Sequence, residues 1–278
     1  MSNKKINIII IQKKIKNNID LSIQDFLNTI SNISIKGNTV IVLHELSYLK
    51  YIGLDKSKKN KSLAIKITSK TIKYFCDICK YKKIFLFLPI FENYKNKYYN
   101  SCVTISNEGK ILGVYRKKNI PNEKCYYEKF YFSKSKNNFK VFDIGVCKIG
   151  VMICWDQWHA NSYTTLAKNG ADFIICPTSI GWAYFNNKII SLKNEKRKWE
   201  MVIKSNSLMN NIPIIVSNRI GIEKTLKHKI NFWGSSFITN AHGDIIAQAK
   251  NKPQCLKITL DLKEKGAAEK YWDFNLSR

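Results

Sequence analysis

Residues 148–181 constrain the fold more than any other stretch, because they have the pattern of a strand, a sharp turn, a helix and a second strand. Residues 149–154 are apolar and predict a buried strand, and residues 171–176 predict another. Residues 162–168 have helical character, and Gly170 suits the end of that helix. Strands that alternate with helices in this way predict an α/β fold.

Cys154 stands at the carboxyl end of the first of these strands, where α/β enzymes place nucleophiles. Backbone N–H groups at such a turn can stabilise an oxyanion or lower the pKa of a thiol. A cysteine at a strand end is also often a small buried hydrophobic residue. Its position alone therefore leaves both interpretations open.

The rest of the chain continues the alternation of strands and helices. Strands are predicted over residues 8–11, 39–43, 84–89, 98–106, 111–116, 139–146, 212–217, 237–240, 245–248 and 256–261, and those at 39–43 and 84–89 are expected to be buried. Helices are predicted over residues 19–33, with Asp20 or Ser22 as the cap, 63–80 and 195–210, and loops after Gly181 and over 218–231. No linker divides the chain, so we expect one domain over residues 1–278 that ends in a short charged tail, with two mixed sheets and helices outside them.

The formal net charge of +27 suggests a nucleic-acid partner, but the lysines are spread over the whole chain and form no basic arm or helix. Lys, Asn and Ile share A/T-rich codons, so a genome-wide bias accounts for the composition. We therefore expect no specific nucleic-acid partner, only weak electrostatic attraction.

No apolar run approaches the roughly 20 residues of a membrane span, and the apolar run at residues 6–11 is too short for a secretory signal. The expected location is the cytoplasm, with no membrane partner.

The eight cysteines are scattered, which predicts reduced thiols rather than a disulfide framework. Cys76 and Cys79 form a lone CxxC in a predicted helix, and no second Cys/His pair completes a zinc site. Packing is the favoured interpretation of this pair. We expect neither a metal nor a cofactor.

Glu45, Lys117 and Cys154 each follow a predicted strand. The carboxyl ends of strands in an α/β fold converge on one crevice. A carboxylate there can take a thiol proton, and an ammonium can stabilise a tetrahedral oxyanion. Taken singly, a Glu after a strand is usually a solvated residue, and lysines are common throughout this chain.

Three segments that contain these residues, VLHEL, YRKKNIP and GVMICWDQW, resemble the signature segments of the nitrilase (carbon–nitrogen hydrolase) superfamily, in the same chain order. The sequences YYEKFYF, CWDQW, PTSIGW, SNRIG and FWGSSF resemble the branch that hydrolyses N-carbamoylputrescine. The resemblance extends over residues 7–273. It implies a four-layer α-β-β-α sandwich.

The resemblance also implies roles for individual residues. Glu45 would be the general base, Lys117 the cation that stabilises the oxyanion, and Cys154 the nucleophile. Glu128 would help to position the lysine and the substrate, and the backbone N–H of Trp155 would be the second oxyanion donor. The superfamily commonly forms homo-oligomers built from dimers, which is the expectation here.

The implied reaction splits N-carbamoylputrescine into putrescine, CO2 and ammonia through a cysteine thioester. This small carbamoyl-amine substrate is cationic, so it requires an acidic or aromatic-lined pocket. Asp156, Glu123 and the tyrosines and tryptophans near Cys154 are candidates for that pocket. A sister amidase for another N-carbamoyl or ω-amide substrate, and a non-catalytic basic binding protein, are the alternatives.

The sequence departs from the superfamily pattern at several positions near the motifs. His44 stands where Pro is usual, and Asn119 stands where His is usual. Lys118 replaces an apolar residue, and Lys204 and Asn206 replace the frequent Gln and His of the last helix. None of these changes removes a catalytic group.

Overall fold

The computed structural model describes residues 5–264, so the predicted charged tail after residue 264 lies outside the described residues. The strands are β1 (Lys5–Gln12), β2 (Thr39–Leu43), β3 (Phe85–Tyr94), β4 (Lys97–Ile105), β5 (Ile111–Arg116), β6 (Lys140–Asp143), β7 (Lys148–Val151), β8 (Phe173–Thr178), β9 (Gly181–Phe185), β10 (Lys188–Ile189), β11 (Ile214–Asn218), β12 (Ile220–Lys224), β13 (His228–Trp233), β14 (Phe237–Thr239), β15 (Ile245–Gln248) and β16 (Gln254–Asp261). The helices are α1 (Ile19–Asn32), α2 (Lys70–Lys82), α3 (Ala160–Lys168) and α4 (Glu195–Met209).

Two six-stranded sheets carry the architecture of the described residues, in the orders β16-β1-β2-β3-β4-β5 and β6-β7-β8-β11-β14-β15. In the first sheet β1, β2 and β3 are mutually parallel, while β16 and β4 flank them antiparallel. In the second sheet β7, β8 and β11 are parallel, and β6 and β14 flank them antiparallel. The outermost pairs, β4–β5 and β14–β15, are antiparallel as well. The two sheets therefore share one pattern of order and direction.

The side chains of β1 show how the layers are stacked. Ile8 and Ile10 lie in a cluster that includes Ile149 and Ile174 of the second sheet. Alternate residues of β1 point the other way, and Ile9 packs in a cluster with residues of α1 and α2. A strand that is buried on both faces needs an uninterrupted apolar sequence, which explains the run of isoleucines. The helices α3 and α4 cover the second sheet through residues such as Leu166 and Ile203.

This stacking is an α-β-β-α sandwich, which confirms the predicted fold class. The pair Cys76 and Cys79 lies on α2, where Cys79 is fully buried in the cluster between that helix and the first sheet. The Sγ atoms therefore serve packing, as the sequence indicated.

One predicted helix cap and one predicted helix start were wrong, while α1 begins at Ile19 as predicted. The cap of α1 is Asn18, not Asp20 or Ser22, because the Asn18 side chain accepts hydrogen bonds from the backbone N–H groups of Asp20 and Leu21. The helix predicted over residues 63–80 begins only at Lys70. Ile65 is held extended instead, since its N–H donates to Phe91 and its carbonyl accepts from Asn93.

The segments expected to be loops after Gly181 and over residues 218–231 form a third, four-stranded sheet, β10-β9-β13-β12. The alternation that predicts a strand was masked in the sequence by lysines and asparagines. In β13 the buried residues Ile230 and Phe232 alternate with more exposed polar ones. The ladder of β13 with β9 brings the chain close at Gly181, where a Cβ atom would lie 2.3 Å from the Asn231 carbonyl oxygen.

Candidate active site

Glu45, Lys117 and the turn at Cys154 follow β2, β5 and β7, and the structure brings them together at one end of the sandwich. The Nζ atom of Lys117 lies 2.8 Å from Oε1 of Glu45, and neither side chain is exposed to solvent. Cys154 is buried as well, and the charges of Glu45 and Lys117 both act on its thiol. The predicted trio is therefore one cluster, although its members come from both large sheets.

The two carboxylate oxygens of Glu45 have different surroundings. Oε1 accepts a hydrogen bond from Lys117 and a second, 2.7 Å long, from the side-chain amide of Asn100. Oε2 is buried and has no hydrogen-bond partner among residues 5–264. A buried carboxylate oxygen without a partner is costly unless it has a task. This oxygen is the one available to accept a proton.

Glu128 is the second carboxylate on Lys117, with Oε2 at 2.7 Å from Nζ. Its other oxygen accepts a 2.7 Å hydrogen bond from the hydroxyl of Tyr51. Burial, with the charge of Glu45, raises the pKa of Glu128 to about 7 despite the opposing effect of Lys117. Burial lowers the pKa of Lys117, but Glu128 and Glu45 outweigh it and keep that pKa well above its ordinary value. Lys117 is therefore a fixed cation in the site.

Cys154 opens a short 3-10 helix, Cys154–Trp158, so the predicted strand over residues 149–154 ends three residues early, at Val151. Its φ of 44° is left-handed, a strained conformation for a non-glycine residue that is typical of functional turns. Burial first, and the charge of Glu45 next, raise the pKa of the thiol, while Lys117 and the backbone N–H of Ser179 lower it. The resting thiol is neutral and needs a base to become a nucleophile.

The backbone N–H of Trp155 lies in the first turn of this 3-10 helix, where N–H groups have no partner within the helix. None of the described residues accepts a hydrogen bond from it. The family resemblance implied that the Trp155 N–H is an oxyanion donor. Its position next to Cys154 fits that role.

Asp156, expected as a candidate for binding the substrate ammonium, has both oxygens occupied by the protein. Oδ2 accepts from the hydroxyl of Tyr115 and the N–H of Ile153, at 2.7 and 2.9 Å. Oδ1 accepts from the backbone and side chain of Asn119, at 2.9 and 3.0 Å. Asp156 thus ties the Lys117 segment to the nucleophile turn, and Asn119, in place of the usual His, is one of its partners.

Glu123, the other acidic candidate, is exposed, and its carboxylate accepts from the N–H of the adjacent Asn122. Glu195, at the start of α4, was not singled out from the sequence. Burial raises the pKa of Tyr126, and the charges of Glu195 and Cys154 raise it further. The hydroxyl of Tyr126 therefore lies within electrostatic range of both Cys154 and the Glu195 carboxylate.

Three more residues of the site were missed by sequence reasoning. Asn100 and Tyr51 sit in segments without a motif, so nothing in the sequence linked them to Glu45 or Glu128. Arg219 lies in SNRIG, which gave the resemblance but no role. It is fully buried and donates to the carbonyl of Glu45.

A buried thiol, a carboxylate with a free oxygen and a fixed ammonium make an arrangement that can attack an acyl carbon and stabilise the resulting oxyanion. This is the chemistry of cysteine-dependent amide hydrolysis. The family model of carbon–nitrogen hydrolases matches residues 10–270. The chain belongs to the carbon–nitrogen hydrolase family, in the nitrilase superfamily.

The curated relatives include a citrullinase and N-carbamoylputrescine amidases. The chain is 34% identical to the citrullinase of Francisella tularensis, over 85% of this chain and 82% of that enzyme. It is 36% identical to the N-carbamoylputrescine amidase of Arabidopsis thaliana. That alignment covers 64% of this chain and 60% of the plant enzyme, so it spans less than two thirds of that relative.

Solved structures show the same fold. A carbon–nitrogen hydrolase from Helicobacter pylori G27 superposes with a TM-score of 0.90 at 29% identity, over 99% of this chain and 95% of that one. Nit3 of Saccharomyces cerevisiae superposes with a TM-score of 0.79 at 17% identity, over 99% and 96% of the two chains. The enzyme class is therefore a C–N hydrolase of the amidase type.

Residues 5–264 contain no cluster of three or more His, Cys, Asp or Glu side chains arranged to hold a metal ion. In the same part of the chain, the helices are too short or too polar to span a membrane.

Proposed function

We propose that the protein hydrolyses N-carbamoylputrescine to putrescine, CO2 and ammonia. The supporting observation is the buried Glu45–Lys117–Cys154 cluster, in which one oxygen of Glu45 is left without a partner. The similarity to N-carbamoylputrescine amidases supports the substrate. The role would lie in polyamine biosynthesis.

The mechanism begins with transfer of the thiol proton of Cys154 to Glu45. The sulfur attacks the ureido carbon, and the oxyanion is stabilised by Lys117 and the N–H of Trp155. Loss of one such donor typically costs about 10²–10³ in rate. The C–N bond to the terminal amino group breaks, and ammonia leaves with the proton returned by Glu45.

The second half of the reaction regenerates the thiol. The carbamoyl thioester remaining on Cys154 is attacked by a water molecule from which Glu45 removes a proton. The C–S bond breaks, the thiol recovers a proton, and the released carbamate decomposes to CO2 and putrescine. Glu45 thus acts as base and acid in both halves, which a carboxylate with one free oxygen can do.

The far end of this substrate is an ammonium, and we assign it to Glu195, of which one oxygen, Oε2, accepts from the N–H of Leu192 at 3.1 Å. Asp156 has no free oxygen, and Glu123 is exposed. Glu195 is half-buried at the start of α4, and its charge acts on Tyr126 together with that of Cys154. In a chain of net charge +27, a local carboxylate is needed to hold a cation.

Citrulline is the second candidate substrate, because the citrullinase of F. tularensis aligns over more of this chain than the plant enzyme does. The two compounds share a terminal ureido group and an ammonium at the far end of the carbon chain. Citrulline carries an additional carboxylate beside that ammonium. Both would therefore present the same reacting group to Cys154.

An ammonia-release assay separates the candidates. The panel contains N-carbamoylputrescine, citrulline, N-carbamoyl-β-alanine and 2-oxoglutaramate, and the highest kcat/KM is expected for N-carbamoylputrescine. A higher kcat/KM for citrulline would replace the proposed substrate by the second candidate. Activity on 2-oxoglutaramate alone would contradict both, since that compound has no ureido group.

A further inference from the structure

We propose that Arg219 is a positioning residue that sets the geometry of Glu45, although it touches neither the thiol nor the substrate. Arg219 directly follows β11 and is fully buried. Its side chain extends across to the segment that follows β2, which belongs to the other large sheet. One guanidinium therefore joins the two sheets beside the active site.

Every N–H group of this guanidinium has an acceptor. Nη2 donates to the carbonyls of Glu45 and Leu46 at 2.9 and 3.0 Å. Nη1 donates to the carbonyl of Leu49 at 2.8 Å and to Glu223 at 2.6 Å. Nε donates to the hydroxyl of Ser179 at 3.1 Å. A guanidinium has five such donors in a planar fork, so its hydrogen-bonding capacity is fully used.

Three of the five acceptors are backbone carbonyls in the segment from Glu45 to Leu49. Leu46, the residue after Glu45, has a φ of 49°. This is a left-handed backbone conformation that residues other than glycine rarely adopt. Such a conformation persists only where surrounding contacts hold it. The two hydrogen bonds from Nη2 supply that hold at Glu45 itself and at the strained residue after it.

The counter-ion of Arg219 binds the same segment. Glu223 accepts a hydrogen bond of 2.6 Å from the backbone N–H of Tyr51 through its second oxygen. The hydroxyl of Tyr51 in turn donates to Glu128, which holds Lys117. The Arg219–Glu223 pair thus fixes both ends of the segment that carries the general base and the partner of Glu128.

The remaining hydrogen bond of Arg219, to Ser179, connects it to the surroundings of Cys154. The hydroxyl of Ser179 accepts a hydrogen bond from Arg219. It also donates a hydrogen bond of 3.4 Å to the carbonyl oxygen of Glu45. The backbone N–H of Ser179 acts on the thiol of Cys154 and lowers its pKa. Arg219 therefore contacts the supports of both the base and the nucleophile.

Arg219→Lys tests this role, because a lysine keeps the charge but has three donors and no planar fork. We expect kcat to fall by about 10²-fold, the size of effect produced by a misplacement of about 1 Å, with KM changed less than about threefold. The double variant Arg219→Met, Glu223→Gln removes the ion pair as a whole, so neither partner is left as an unpaired buried charge. We expect it to show a similar loss of kcat.

Alkylation of Cys154 by iodoacetamide supplies a readout that needs no substrate. The sulfur displaces iodide after the thiol loses its proton, so the rate reports on Glu45. The inference rests on Glu45 activating Cys154 as in the proposed function. A parent protein that is alkylated rapidly but inactive on ureido compounds would contradict the proposed substrate and leave the role of Arg219 testable.

Ile30→Ala in α1 is the control for lost stability, because it removes buried methyl groups but none of the hydrogen bonds of Arg219. We expect it to lower the unfolding temperature while keeping kcat and the alkylation rate of the folded protein. Slow alkylation in Arg219→Lys together with normal alkylation in Ile30→Ala supports the proposal. Parent-like kcat in both Arg219 variants, or an equal loss in Ile30→Ala, overturns it.

Discussion

The Nζ atom of Lys117 lies between two carboxylates, 2.8 Å from Oε1 of Glu45 and 2.7 Å from Oε2 of Glu128. A lysine that must stabilise an oxyanion has to stay charged while buried, and the two carboxylates achieve this. One of them keeps a free oxygen for the proton of Cys154, while both oxygens of the other are bound. These different contacts support the proposal that Glu45 acts as the base and Glu128 holds Lys117.

Replacement of the nucleophile gives the first prediction. Cys154→Ala should lose activity by about 10⁴–10⁶-fold, as expected when one member of a catalytic unit is removed. The fold should persist, because alanine fills most of the same buried space. Ammonia release and the circular dichroism spectrum measure the two effects. Substantial activity in this variant would rule out the thioester route.

Tyr51→Phe should shift the titration of Glu128. The Tyr51 hydroxyl donates to Glu128 and lowers its pKa, against the burial that raises that pKa to about 7. Without this donor the pKa of Glu128 moves higher, so the step near pH 7 in the kcat/KM profile should move to higher pH. The control is Glu128→Gln, which has no ionisable group here and should lose the step. A step near pH 7 in both variants would assign it to another group.

Asp156→Asn should impair the site without weakening substrate binding. An asparagine cannot accept at its nitrogen, so two of the four donors around Asp156 lose their acceptor. We expect a loss of about 1–3 kcal/mol in the free energy of unfolding for each unsatisfied group and a lower kcat. Urea unfolding and steady-state kinetics measure these. A large rise in KM with unchanged stability would instead indicate the ammonium-binding role.

Glu195→Gln should raise KM for N-carbamoylputrescine by about tenfold, a loss of about 1.4 kcal/mol of binding. The same variant should hydrolyse butylurea, a ureido compound without an ammonium, as the parent does. Glu200→Gln, five residues further along α4, is the matched control. An equal effect on both compounds would show that Glu195 does not contact the cation.

His44→Asn should flatten the acid side of the stability profile. Burial first, and the charge of Arg219 next, hold the pKa of His44 well below its ordinary value of 6.5. Below pH 6.5 the unfolded chain binds a proton at His44 and the folded chain does not. The free energy of unfolding therefore decreases as the pH is lowered, by up to about 1.4 kcal/mol per pH unit. Urea unfolding at pH 7.5, 6 and 5 should show this slope in the parent and a smaller one in the variant. Equal slopes would contradict it.

The sequence, through its resemblance to the superfamily, predicted the sandwich and the grouping of Glu45, Lys117 and Cys154. Glu45, Lys117 and Cys154 each follow an apolar run inside a recognisable segment, and such local patterns survive in a lysine-rich composition. The role of Asp156 could not be predicted, because its donors Tyr115 and Asn119 are remote in sequence and were brought to it by the fold. The hydrogen bonds of Arg219 to the segment after β2 depend equally on tertiary contacts.

The pairing of β1 with β16 has a consequence for how the chain is made. Residues 5–12 are synthesised long before their antiparallel neighbour, residues 254–261. Until those residues leave the ribosome, an isoleucine-rich strand has an open edge, the kind of surface that invites association with other chains. Newly synthesised chains of this protein should therefore depend on chaperones until β16 emerges, and truncation before residue 254 should produce aggregates rather than a smaller enzyme.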